Sequence, residues 1–331
     1  MNYLITGGTG SFGKAMSERL LATPSVSSIT ILSRDEDKQE LMRRKCDNTK
    51  LRFVVCDIRD YTALELAMRD IDVVFHAAAL KQVPSCEANP LEAITTNLLG
   101  GDNVFKAAER NGVRTVVALS TDKACYPINT MGMTKALMEK LMVSHAQRSN
   151  ERKCRTLFCA TRYGNVAGSR GSVIPFFIKL IKEGQRLRVT DPSMTRFLLS
   201  MDDALDLVLY AFEGAMNGGI YVLKAPAVTV ENLAKAVCEL FGAEYDPIIT
   251  GVRPGEKANE TLVGQEEMCR VLDMGSHFLI PPNDTNWKYC ADVRAFTSDA
   301  TTMLSVEDTK QRLLAMEFIQ EALTPGKDDE D

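Results

Sequence analysis
Two residues side by side, Asp122 and Lys123, offer an acid and an amine at one point of the chain. They lie in the stretch Leu119–Lys135, LSTDKACYPINTMGMTK, which leaves an apolar run at Thr115–Leu119 and enters an apolar-periodic segment. The first reads as a buried strand and the second as a helix. A carboxyl and an ammonium at the carboxyl end of a parallel strand are placed to move protons at a ligand. A surface ion pair in a loop would show the same two letters. What decides between the two readings is the rest of the chain.

A nucleotide site is written at the N-terminus. Tyr3–Thr6 is a short apolar run, followed by Gly7-Gly8-Thr9-Gly10-Ser11-Phe12-Gly13 and a helical pattern at Ala15, Met16, Leu20 and Leu21. Gly7, Gly10 and Gly13 give G-x-x-G-x-x-G between a strand and a helix. That context allows a tight turn, close backbone approach to a pyrophosphate, and amide donors at a helix N-terminus. After the second strand, Ser28–Leu32, the chain reads Ser33-Arg34 where an acid would hold the ribose 2′-hydroxyl of NAD. A hydroxyl and a guanidinium suit a 2′-phosphate, so NADP is expected over NAD. Arg34 as a helix-start surface charge is the plainer alternative, with Asp35 and Glu36 close by.

These elements repeat. Leu51–Val55 is a third strand ending in Cys56-Asp57-Ile58, where Asp57 either accepts from the adenine amine or caps the next helix. Val73–Phe75 ends in His76-Ala77-Ala78-Ala79, small residues that admit a ligand, with Lys81 after them. A helix over Pro90–Arg110 carries Asn97. Thr115–Leu119 is the fifth strand, Met131–Ser149 a helix, and Leu157–Ala160 a sixth strand ending in Thr161-Arg162-Tyr163-Gly164-Asn165. Six alternations predict an α/β fold with a Rossmann-like doubly wound parallel sheet. The rhythm then changes. A helix is expected at Phe176–Glu183, another at Asp202–Glu213, a strand at Ile220–Leu223, a Thr229-capped helix, and a last helix from Ser305 to about Ala322. The domains expected are 1–165 for the dinucleotide, with later returns at roughly 198–225, then 166–323 as a smaller substrate-side α/β domain. The acidic tail 324–331 is expected to be disordered.

Composition narrows the class. Of 331 residues, 45% are hydrophobic and 25% charged, as in ordinary globular proteins, and a net charge of −5 argues against a nucleic-acid partner. No apolar stretch reaches transmembrane length, so no membrane association is expected. Nine cysteines without a C-x-x-C pair read as reduced thiols of a cytoplasmic protein. His76, His145 and His277 lie far apart, so no metal site is expected.

In order along the chain stand GGTGSFG, the Asn97 helix, STDK, MGMTK, RYGNV, SRGSVIP, DPSMTRF and RPGEK. Together they resemble an extended short-chain dehydrogenase/reductase acting on a nucleotide sugar. More closely, they resemble the bacterial UDP-N-acetylglucosamine 4,6-dehydratases of capsule, O-antigen and flagellin-sugar pathways. The resemblance implies NADP at the glycine turn, hydride removal from sugar C4, loss of the C5 proton and the 6-hydroxyl, and hydride return to C6. It makes Asp122 the acid, Lys123 the base at C5, and Lys135 the group on the nicotinamide ribose. A base of that kind needs a lowered pKa, through burial or a nearby cation. The implied cofactor contacts are Gly7, Thr9, Gly10, Ser11, Phe12, Gly13, Ser33, Arg34, Asp57, Ile58, Ala77, Ala78, Ala79, Lys81, Asn97, Lys135, Tyr163 and Asn165. The implied substrate contacts are Arg162, Asn165, Ser169, Gly171, Ser172 and Val173 along the diphosphate and uridine, Thr190 beside them, Arg196, Arg253 and Glu256 on phosphate and ribose, and Lys81, Asp122 and Lys123 at the sugar. A homo-oligomer such as a hexamer is implied as well.

One position departs from the wider pattern. Short-chain dehydrogenases carry Y-x-x-x-K, and here Met131 stands four before Lys135. A thioether relays no proton. Lys123, Asp122 or a water is then expected to take the C4 hydroxyl proton, with Tyr126 a further candidate. Two other readings compete: a nucleotide-sugar epimerase or reductase on the same scaffold, and a silent NADP-binding sensor, which Met131 alone supports.

Overall fold
The computed structural model describes residues 1–151, 155–169, 171–282 and 288–324. They form two compact units. The first takes Met1–Tyr163, Leu205–Lys224 and Leu262–Ala295, and the second Gly164–Ala204, Ala225–Thr261 and Phe296–Asp331. The return at Leu262–Ala295 has no counterpart in the sequence reading. It joins the first unit because His277–Ile280 pairs antiparallel with Ile220–Leu223.

The first unit is built on a nine-stranded sheet. Strands β1 (Asn2–Thr6), β2 (Ser28–Ser33), β3 (Leu51–Val55), β4 (Val73–His76), β5 (Thr115–Leu119) and β6 (Leu157–Arg162) run parallel. Their spatial order is β6-β5-β4-β1-β2-β3. Ile220–Leu223 extends the sheet parallel to β6, and His277–Ile280 and Leu272–Asp273 close that edge antiparallel. The doubly wound parallel expectation holds, with this antiparallel edge added. Strand order reverses between β1 and β4, the switch point where such sheets bind ligands. β4 and β5 are buried at every residue, as strands covered on both faces must be.

Helices α1 (Ser11–Leu21), α2 (Glu36–Lys45), α3 (Tyr61–Ala67), α4 (Val83–Ala88), α5 (Pro90–Ala93), α6 (Gly100–Asn111) and α7 (Thr130–Glu151) connect these strands. The single helix expected over Pro90–Arg110 is interrupted by a π-helical segment, Ile94–Leu99. The buried Asn97 lies on it. Its Oδ1 accepts from the Leu80 amide at 2.7 Å, while its Nδ2 donates to the Leu80 carbonyl at 3.0 Å and to Thr134 Oγ1 at 3.1 Å. The wider turn aims this amide at the loop after β4.

The second unit packs helices Val173–Lys182, Val230–Leu240, Val306–Leu314 and Glu317–Leu323 around an apolar core that includes Phe177, Leu233, Val237 and Ile319. Thr229 Oγ1 caps the second of these, accepting from Asn232 N at 3.0 Å. The helix expected from Phe176 begins at Val173, and Pro175 sits in its first turn, where a missing amide costs nothing. The helix expected over Ser305–Ala322 is two helices. Met316 adopts an extended conformation between them and buries its side chain in the core, which ends the first helix. The expected tail 325–331 lies outside the described residues. Among the described residues, no helix is long and apolar enough to cross a membrane and no group of side chains could hold a metal ion.

Candidate active site
The carboxyl ends of β1 and β4 meet at the switch point. Thr6 Oγ1 lies 2.8 Å from His76 Nδ1 and accepts from Ala78 N at 3.2 Å. Gly7 has φ +66°, and a Cβ there would stand 2.9 Å from Ala78 Cα. At Gly13 a Cβ would meet the Gly8 carbonyl oxygen at 2.4 Å. Only glycine permits this approach of the β1 turn, the Ala77–Ala78 backbone and α1. Gly10 precedes α1 without a side-chain cap, and no acid lies in the first turn. Thr9 is buried in the turn, while Gly10 is exposed and Ser11 and Phe12 are half-buried. The turn therefore presents a helix N-terminus suited to an anion, and it fits a dinucleotide pyrophosphate.

The residues read as choosing NADP divide. Ser33 is buried and its hydroxyl accepts from Gln39 Nε2 at 3.0 Å, so it faces inward rather than toward a 2′-phosphate. Arg34 is half-exposed, with Nη1 3.4 Å from Asp57 Oδ2. Asp57 itself is bound by Arg59, at 2.7 Å to Nη2 and 2.9 Å to the backbone amide. Burial pushes its carboxyl up, but these hydrogen bonds and the charges of Arg34 and Arg59 outweigh that and hold it below its ordinary value. Asp57 is therefore an ion-pair partner. The cap of α3 is Asp60, which accepts from Ala63 N at 3.0 Å. Ile58 is buried, Ala79 is half-buried, and Lys81 is exposed. Asn97, expected on the cofactor, directs its amide to the Leu80 backbone and Thr134.

The turn after β5 carries the acid and the amine. Asp122 is fully buried. Its Oδ1 accepts from Thr121 Oγ1 at 2.8 Å and Lys123 Nζ at 3.0 Å, whereas Oδ2 has no hydrogen-bond partner among the described residues. The Asp122 amide donates to the Tyr163 carbonyl at 3.1 Å, which ties the turn to the end of β6. From the other side Gly132, in the first turn of α7, lies on the Lys123 backbone, and Asn129 Oδ1 accepts from Gly132 N at 2.8 Å.

One turn along α7, Lys135 is buried with its Nζ 3.5 Å from Met138 Sδ. Burial pulls its ammonium down to about 8, against the opposing charge of Glu139. Burial and Lys135 together pull the His76 imidazole down to about 3, so that ring stays neutral. Met131 packs with Cys86 and Ala93 in an apolar cluster that Leu80 and Val83 cover. It contributes packing where the wider pattern has a phenol. Tyr126 cannot replace that phenol in this arrangement. Its hydroxyl donates to Glu266 Oε2 at 2.5 Å and accepts from Gln265 N at 2.7 Å, and burial with Glu266 pushes it up to about 12.

Arg162 corrects an expectation. The sequence places it along a substrate diphosphate, whereas in the fold its side chain is 2% exposed and paired to Glu139 at 2.6 Å and Glu267 at 2.7 Å. The local motif RYGNV carries no sign of these carboxylates, which lie 23 and 105 residues away.

The second unit holds its own cavity, of about 600 Å³. Eight residues singled out in the sequence line it: Asn165, Gly171, Ser172, Val173, Thr190, Arg196, Arg253 and Glu256. Ser169 is not among them; its hydroxyl donates to the Val166 carbonyl at 2.9 Å. Arg188, Lys179 and Phe176 also line the cavity and are not among the site residues expected from the sequence. Arg196 donates to the Thr195 and Ala258 carbonyls at 2.8 and 3.0 Å and lies 3.4 Å from Glu256 Oε1. Asn165 Oδ1 and Ser172 Oγ are buried without hydrogen-bond partners among the described residues. Cations, unpaired polar atoms and an apolar wall suit an anionic ligand with an organic ring.

Known proteins resemble this chain over nearly its whole length. A protein named UDP-glucose 4-epimerase from Rickettsia akari (strain Hartford) is 49% identical over 97% of each chain, and one of the same name from Rickettsia bellii (strain OSU 85-389) is 50% identical over the same shares. The solved structure of Pen from Bacillus thuringiensis superposes with a TM-score of 0.89 at 35% identity, covering 96% of this chain and 98% of that one. A dTDP-glucose 4,6-dehydratase from Streptomyces venezuelae, a DesIV double mutant with NAD and DAU bound, shares the fold, with a TM-score of 0.70 at 22% identity over 78% of this chain and 87% of its own. The family described as polysaccharide biosynthesis protein matches residues 3–282. The chain belongs to that polysaccharide biosynthesis protein family.

Proposed function
We propose that the protein catalyses the NADP-dependent 4,6-dehydration of UDP-N-acetylglucosamine, with inversion at C5, to a UDP-2-acetamido-2,6-dideoxy-4-keto-hexose. The observation that carries this reading is the Asp122–Lys123 pair, a buried acid and an amine 3.0 Å apart at the end of β5. An epimerase that moves only a hydride at C4 has no use for both.

The glycine turn, the helix α1 N-terminus and Arg34 would hold NADP, which when bound supplies the hydride acceptor and donor. Lys135, cationic below pH about 8, would hold the nicotinamide ribose and favour negative charge on the C4 oxygen. Met131 takes no part in proton transfer. The C4 hydroxyl proton passes to Lys123, Asp122 or a water. Any proton taken from the C4 hydroxyl first passes on to solvent. With its amine neutral, Lys123 Nζ then removes the C5 proton while Asp122 gives a proton from Oδ2 to the departing 6-hydroxyl. One water leaves, the hydride that the cofactor would supply returns to C6, and a proton delivered to the opposite face of C5 completes the 6-deoxy 4-ketone. In the second unit, Arg196 and Arg253 would meet the diphosphate and Glu256 the ribose diol. Assembly as a homo-oligomer belongs to the same reading and is read by light scattering.

The naming of the Rickettsia relatives favours a second reading, 4-epimerisation of a UDP-sugar. Mass spectrometry of the product separates the two. Dehydration leaves a sugar nucleotide one water lighter, and epimerisation leaves the mass unchanged. A product of unchanged mass rejects the dehydratase reading.

A further inference from the structure
One short segment, Leu262–Glu267, reaches both ends of the turn Ser120–Tyr126. At the first end the link runs through Arg162. Its Nη1 donates to Glu267 Oε2 at 2.7 Å and to the Leu262 carbonyl at 2.9 Å. Its Nη2 and Nε donate to the two oxygens of Glu139 at 2.6 and 3.1 Å. Glu139 in turn accepts from Ser120 Oγ at 2.5 Å. A single planar guanidinium thus joins Ser120 to Glu267 with a bidentate grip that a lysine cannot copy.

At the second end the contacts are direct. Cys125 Sγ lies 3.8 Å from Glu267 Oε2, and Tyr126 OH is held between Glu266 and the Gln265 amide. Tyr126 has φ +46°, a conformation that a residue with a side chain keeps only when its surroundings hold it. A Cβ on Gly264 would stand 3.0 Å from Tyr126 OH, so any larger residue there would push the phenol aside by a few tenths of an ångström. Glu267 also accepts from the Gly264 amide at 2.9 Å, which fixes the segment's own bend.

Nothing about core stability requires an ion-pair cluster at this place, since buried pairs are weak contributors to net stability. Both of its ends terminate on the turn that carries Asp122 and Lys123. We propose that Glu267 is a positioning residue: through Arg162, Glu139 and Ser120 on one side, and on the other through Cys125 and the bend it caps at Gly264, which presents Gln265 and Glu266 to Tyr126, it fixes the turn bearing Asp122 and Lys123. What that turn does rests on the proposed function; its ordering by Glu267 does not.

Hydrogen–deuterium exchange, read peptide by peptide by mass spectrometry, tests this in Glu267→Gln and Tyr126→Phe. The amides of Asp122, Ala124 and Cys125 donate to the carbonyls of Tyr163, Thr121 and Asp122, and they report directly on the turn. In Glu267→Gln they should exchange about tenfold faster while β5 and α7 keep their protection. Turnover should fall about tenfold or more with KM within about twofold, the mark of misplaced reacting groups rather than lost binding. Tyr126→Phe alters a half-exposed side chain outside the core, so it tests the second end even if the charge-removed variant does not fold. It should loosen the same amides and leave the shape of the pH profile unchanged. Unchanged exchange of the turn in both variants, or equal loosening throughout the sheet, overturns the proposal. A loosened turn in a protein whose wild type loses no water from UDP-N-acetylglucosamine supports the positioning role and rejects the proposed reaction.

Discussion
Gly132 and Lys123 touch through their backbones: a Cβ placed on Gly132 would lie 2.2 Å from the Lys123 carbonyl oxygen. The first turn of α7 is thus the seat of the turn that holds the acid and the amine. Gly132→Ala must push one of them away. It should cost about 1–3 kcal/mol of stability, as overpacking does, and reduce turnover by roughly tenfold to a hundredfold. Thermal unfolding and steady-state kinetics read the two effects separately. Wild-type turnover in this variant would show that Lys123 does not need its present place.

Asp122→Asn keeps the size of the side chain and removes the proton donor. Water loss should fall about 10²-fold or more, the usual worth of a general acid. Binding of NADP, followed by fluorescence of its reduced form, should be unchanged. Retained dehydration would remove Asp122 from the reaction.

Lys135 gives the site a pH limit. Burial pulls its ammonium down to about 8 from the ordinary lysine range. The charge is present below that value and is lost as pH rises through it. Activity should therefore decline on the alkaline side with an apparent pKa near 8. Lys135→Arg keeps its charge at every working pH, so the alkaline limb should disappear even if turnover at pH 7 is lower. An alkaline limb unmoved in the variant assigns it to another group.

Much of this site is local in sequence and legible there. The glycine turn needs a strand before it and a helix after it, and both stand within a dozen residues. Asp122 and Lys123 follow an unbroken apolar run, so their place at a strand end could be read from the run itself. What escaped is long-range. Arg162 has the letters of a phosphate ligand, and only folding brings Glu139 and Glu267 to it. Ser33 follows the second strand as a 2′-phosphate ligand would, and only Gln39 turns it inward. Asn97 sits on a π-helical turn that helical periodicity conceals. Met316 reads as one more apolar position of a helix, and its burial in the second unit's core breaks that helix.

His76 makes stability depend on acid. Its ring is fully buried at the end of β4, and its folded value of about 3 lies below the unfolded 6.5. Between those values the unfolded chain takes a proton that the folded chain refuses. The stability is complete above pH 6.5 and is lost as pH falls through this window. At pH 5 the loss should be about 2 kcal/mol relative to pH 7. Urea unfolding at both pH values in wild type and His76→Asn checks it: the variant should lose less than wild type by about that amount. Equal losses would mean that His76 does not carry the acid sensitivity.

The proposed reaction turns on loss of water through proton removal at C5. Proton NMR of the purified protein with NADP+ and UDP-N-acetylglucosamine in deuterated water tests it most directly. Dehydration should give a new C6 methyl signal, with deuterium at C5. A 4-epimer without a methyl signal, or substrate left unchanged, would contradict it.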